Sequence, residues 1–153
     1  MITNDDVLAL LADVVHSGSG VRIPVSGRSM GPAYALVSDI QVVPCEPSSI
    51  TPGRLVVFQR NGKWVVHRVM RRMRGSDGEV CFTKGDGVAQ LDRPCVQASE
   101  IKGVVSVLRF KDGSSLDLLA FPSRLRAWWI VTRFWMGRFI LPTGRDPRLA
   151  NRG

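Results

Sequence analysis

With 153 residues, 44% hydrophobic and 22% charged, the chain has the length and balance of one globular domain with a tail, which excludes a fibrous or wholly disordered protein. Its net charge of +8 is unevenly placed, because residues 1–123 carry 14 Lys and Arg against 12 Asp and Glu, whereas residues 124–153 carry 7 Arg against one Asp. A contact with an anionic surface is therefore expected only of the C-terminal stretch, and no nucleic-acid partner is expected.

In chain order, Asn4 or Asp5 suits the N-cap of a short helix reaching about His16, since Val7, Leu8, Leu11, Ala12 and Val15 recur at helical spacing. Ser17-Gly18-Ser19-Gly20 ends it. The pattern then changes to short β-branched runs separated by Pro, Gly and Asn, at 21–25, 40–44, 55–60, 63–71, 80–84, 101–109 and 115–119. Such spacing predicts a mainly β domain over 21–120. Asn61-Gly62 predicts a tight hairpin turn, because both central positions of that turn need positive φ, and it puts His67 on the returning strand.

The segment 121–141 is expected to be a basic, aromatic helix. It holds three of the four tryptophans with arginines every few residues, and charge interrupts it too often for a bilayer span, which takes about 20 largely apolar residues. Two placements remain open for it. It packs on the β domain or a second copy, or it makes a peripheral contact with an anionic membrane through 124–141. Residues 142–153, rich in Gly, Pro and Arg, are expected to be a disordered tail.

Three cysteines, Cys45, Cys81 and Cys95, are odd in number and lack metal-ligand spacing, so neither a disulfide framework nor a zinc site is expected, and no cofactor. With Asn4, Asp5 and Asp6 at the start instead of a basic flank, the expectation is a cytoplasmic protein, peripheral on the inner face of the membrane if 124–141 binds there.

The chemistry gathers around Ser26-Gly27-Arg28-Ser29-Met30-Gly31-Pro32. A serine hydroxyl is a weak nucleophile until a positioned base takes its proton. Val65-Val66-His67-Arg68-Val69 offers an imidazole, and Asp86 in Lys84-Gly85-Asp86-Gly87 or Asp92 in Asp92-Arg93-Pro94 offers a carboxylate to orient it. Ser29, His67 and Asp86 or Asp92 together make the set of a serine hydrolase. Lys84 reads as a solvated strand-end residue and as the alternative base.

These segments resemble, in order and wording, the signal peptidase I and LexA-like serine peptidase superfamily, over about 22–107. The first box matches at Gly27, Ser29, Met30 and Pro32; Val66-His67-Arg68-Val69 is similar to the histidine-bearing type; Phe82-Thr83-Lys84-Gly85-Asp86 and Ile101-Lys102-Gly103-Val104-Val105 follow. Arg54 and Gly87 depart from the family's usual residues, and Gly27 stands where many signal peptidases have an oxyanion-binding serine. The resemblance implies a LexA/signal-peptidase-like β fold, a Ser29 nucleophile with His67 as base, the Ser29 backbone N–H as oxyanion donor, and cleavage of a leader or signal-type peptide. A self-cleaving regulator or a non-catalytic adaptor of the same fold is the alternative, although the stretch before Val21 is too short for a helix-turn-helix.

Overall fold

The computed structural model describes residues 20–25 and 29–140; the expected helix before Gly20, residues 26–28 of the serine box and the expected tail after Ile140 lie outside them. Eight strands form one antiparallel sheet: β1 (Val21–Pro24), β2 (Val37–Val43), β3 (Leu55–Arg60), β4 (Lys63–Gly75), β5 (Gly78–Lys84), β6 (Val96–Gln97), β7 (Gly103–Phe110) and β8 (Ser115–Asp117). Their order is β1-β2-β7-β3-β4-β5-β6, with β8 on β7. Helix α1 (Phe121–Ile140) follows the last strand. The domain is thus mainly antiparallel β with one C-terminal helix.

Strand β3 is central, and its four consecutive apolar residues are buried on both sides, as the period of two requires. Leu55 and Val57 join Met30, Ile40, Val42, Val105 and Leu108 in one core cluster. Val56 and Phe58 face the other way, into a cluster with Ile50, Val69, Cys81, Ile101 and Val104. The β3–β4 hairpin closes through Asn61 and Gly62 at φ 51 and 70, both left-handed as that turn needs. His67 then pairs with Val56, and Arg68 with Leu55 and Lys84.

Three strands differ from the sequence reading, of which β2 begins at Val37 and not at Ile40. Strand β4 runs to Gly75, because Arg71, Arg72 and Arg74 continue a ribbon paired with β5 that needs no buried face. The two-residue β6 was not expected; so short a strand leaves no periodic signal. Helix α1 lies on the domain through Val131, which is buried, and through Trp135, whose indole N–H donates to the Met70 carbonyl at 3.1 Å.

Candidate active site

His67 is buried because β4 is flanked by β3 and β5. Its Nδ1 lies 2.6 Å from Asp92 Oδ2, its ring meets Phe58 edge-on at 6.2 Å, and Thr83 Oγ1 donates to the same carboxylate oxygen at 2.6 Å. Asp92 is held in place by its own backbone N–H, which donates to the Thr83 carbonyl at 2.8 Å, and Arg60 stands 3.9 Å from its other oxygen. Burial pushes the Asp92 carboxyl up. Hydrogen bonds from His67 and Thr83, with the charges of His67 and Arg60, outweigh that and hold it below the usual carboxylate range. An ionised carboxylate only accepts, so His67 Nδ1 is the donor to Asp92 Oδ2.

His67 Nε2 lies beside the turn bearing Ser29. A Cβ on Gly85 would lie 3.1 Å from His67 Nε2 and 2.3 Å from the Ser29 carbonyl oxygen, so the serine turn and the imidazole meet across a position where only glycine leaves room. Gly87 N–H donates to the Ser29 carbonyl at 2.9 Å, and Met30 is buried in the core while Ser29 stays exposed. A Cβ on Gly87 would come within 2.4 Å of the Gly31 nitrogen, so the Gly85-Asp86-Gly87 turn is the floor on which the serine turn rests. Ser29, His67 and Asp92 are brought to one place.

Asp86 goes elsewhere, which corrects its candidacy as the orienting carboxylate. Arg68 Nε and Nη2 donate to its two oxygens at 2.8 and 2.6 Å, and the Tyr34 hydroxyl donates to Oδ2 at 3.2 Å. Arg68 Nη1 also donates to the Gly53 carbonyl at 2.7 Å, and Nη2 to the Tyr34 oxygen at 3.1 Å. Burial, with the Asp86 carboxylate and against the pull of Arg68, pushes the Tyr34 phenol up to about 12. The cause is strand alternation: His67 and Arg68 are neighbours and face opposite sides of β4, so each takes its own carboxylate.

Lys84 is also corrected. It is buried, not solvated: Nζ donates to the carbonyls of Gly85 at 2.9 Å and Val88 at 2.5 Å and stands 5.6 Å from the centre of the Phe134 ring on α1. Burial moves its ammonium pKa down. Donating to these two carbonyls, Lys84 ties the Gly85–Val88 turn.

Thr83, Arg68 and Tyr34 were not singled out from the sequence as parts of this site. A threonine hydroxyl in a buried strand and an arginine inside a Val-rich one must both find partners, and that requirement is the signal that marks them. Beside the serine turn opens a cavity of about 990 Å³, lined by Met30, Gly31, Leu55, Val105 and Leu108 on the sheet side and by the half-buried Ala127 and Ile130 of α1. Among the described residues, no group of His, Cys, Asp and Glu is placed to hold a metal ion. No family model, no curated protein and no solved structure matches this chain.

Proposed function

We propose that the chain is a serine endopeptidase with a LexA/signal-peptidase-like β fold, cleaving a leader or signal-type peptide. The observation that carries this reading is the hydrogen-bonded series Thr83–Asp92–His67, whose free imidazole nitrogen faces the Ser29 turn across Gly85. Buried, oriented and polarised imidazoles beside an exposed serine are the arrangement that nucleophilic acyl transfer requires.

In the proposed reaction, His67 Nε2 takes the Ser29 hydroxyl proton as Oγ bonds to the scissile carbonyl carbon. The tetrahedral oxyanion accepts from the Ser29 backbone N–H, as the family resemblance implies. Collapse breaks the C–N bond, and the imidazolium gives its proton to the departing amine. Water then enters and adds to the acyl carbon as His67 takes one of its protons, and collapse breaks the ester bond as the imidazolium returns that proton to Ser29 Oγ, releasing the acid. Asp92 stays ionised throughout and stabilises the imidazolium.

A peripheral contact with an anionic membrane belongs to the same proposal. Phe121, Leu125, Trp128, Trp129 and Met136 are exposed and fall on one side of α1 at 100° per residue, with Arg133 stacked on the Trp129 ring at 5.5 Å. No helix among the described residues is long and apolar enough to cross a membrane. The peptidase reading is tested by incubating the purified protein with a complex peptide library and reading new termini by mass spectrometry. Cleavage that disappears in Ser29→Ala supports it; termini that persist in that variant, or none in a folded wild type, assign the fold to a non-catalytic adaptor.

A further inference from the structure

The cavity beside the serine turn is apolar in its floor and unbalanced in its charge. Four arginines line it, Arg54, Arg68, Arg124 and Arg126, against the single carboxylate of Asp86. That carboxylate is fully engaged by Arg68 and Tyr34. Arg54 Nη1 is buried with no hydrogen-bond partner among the described residues. Arg54 and Arg124 line the same cavity, where burial lowers the pKa of Arg54 and the positive charge of Arg124 lowers it further. A buried guanidinium N–H left without an acceptor is costly, and a second cation beside it adds to the cost. An anion in the cavity, whose wall holds both Arg54 and Arg124, offsets the repulsion between them.

We propose that this cavity binds an acidic side chain of the peptide substrate, set beside apolar residues, and so gives the enzyme a preference for glutamate or aspartate near the scissile bond. The peptide character of the occupant rests on the peptidase reading, and the anion's place rests on Arg54 and Arg124. The cavity continues from the site: Met30 and Gly31, which follow Ser29, and Asp86 and Gly87, which floor the serine turn, all line it. A chain whose carbonyl lies at Ser29 therefore extends into it within a few residues. Its volume of about 990 Å³ holds several side chains. Leu55, Val105 and Leu108 receive the apolar ones, and the arginines on the α1 side take the carboxylate.

The test separates binding from cleavage. Ser29→Ala protein is titrated by calorimetry with short synthetic peptides of small and apolar residues, in which one Glu, or Gln or Lys in its place, is moved through each position. Glu peptides should bind about tenfold or more tighter than their Gln counterparts at one or two positions. Arg54→Gln should abolish that preference, and Arg124→Glu, at an exposed position, should turn it toward Lys. Equal binding of Glu and Gln peptides overturns the proposal. Tight, Arg54-dependent binding of dodecyl phosphate without any Glu preference overturns it in favour of a lipid-like ligand. The same peptides given to active protein distinguish the two claims: cleavage indifferent to Glu overturns the acidic subsite and leaves the peptidase, whereas Glu-dependent binding without cleavage keeps the acidic subsite and removes the peptidase.

Discussion

His67 and Arg68 are adjacent on one buried strand, and each holds an aspartate from the same segment of chain, yet the two pairs do different work. Asp92 meets an imidazole that leaves one nitrogen free toward Ser29, while Asp86 is locked by both arms of a guanidinium and by a phenol. An imidazole can lose and regain a proton near neutral pH; a guanidinium cannot. In the proposed reaction one face of β4 carries the chemistry, while the other carries a brace joining Tyr34, Gly53 and the Gly85–Gly87 turn. The difference lies in the partner, since the carboxylates are alike.

The sharpest way to break this comparison is to remove the members of the first pair. Ser29→Ala and His67→Ala should each lower kcat/KM by about 10⁴-fold or more, with the double variant little worse, because residues that act as a unit are not additive. Asp92→Asn should keep the fold and lower kcat by about 10²–10⁴-fold, since an amide no longer holds the imidazole in the productive tautomer. Asp86→Asn should act through stability instead, costing about 3–5 kcal/mol by leaving the buried Arg68 charge uncompensated, with activity per folded molecule largely retained. If Asp86→Asn lost activity with an unchanged melting temperature, the roles would have to be exchanged.

How much of this was legible beforehand depended on whether a local pattern or a long-range register decided it. The β runs and the Asn61-Gly62 turn are local, and both central turn residues do have positive φ. Choosing between Asp86 and Asp92 required knowing which face of β4 each loop reaches, and a register shift between Val69 and Arg71 on that strand makes the pairing with β5 unreadable from spacing. Lys84 misled for another reason: α1, some fifty residues later, supplies the Phe134 ring that covers it. Charge at a strand end signals solvent only when nothing folds back over it.

The brace has its own pH signature. Tyr34 is the chain's single tyrosine, so its ionisation can be followed directly by ultraviolet absorbance. In the native protein the midpoint should lie near 12 and not near the ordinary 10.0. Because the fold holds this proton more tightly, its contribution to stability is complete below pH 10 and is lost as pH rises through about 12. Tyr34→Phe should remove that alkaline loss. The His67–Asp92 pair behaves oppositely: with the Asp92 carboxyl held below its ordinary 3.8, its contribution is present above that value and is lost as pH falls beneath it. Urea titrations of wild type and Asp92→Asn should therefore converge in acid and separate above about pH 4.

The smallest effect concerns the outward side of α1. Wild type should bind vesicles containing anionic lipid, weakly bind neutral ones, and release at high salt, since exposed charges are screened over about 10 Å at 0.1 M. Trp128→Ser with Trp129→Ser should weaken that binding by a few kcal/mol of lost apolar burial. Unchanged affinity would assign the stripe to a protein partner.

The central claim is that Ser29 is made nucleophilic by His67, and covalent labelling reads that property without any knowledge of the substrate. Wild type, Ser29→Ala and His67→Ala are each treated with a serine-reactive phosphonate, and the adduct is located by mass spectrometry of the digested protein. The account predicts stoichiometric modification of Ser29 in wild type, none in Ser29→Ala, and labelling slowed by orders of magnitude in His67→Ala, with all three folded by circular dichroism. Equal labelling of wild type and His67→Ala, or a folded wild type that takes no label, would contradict it.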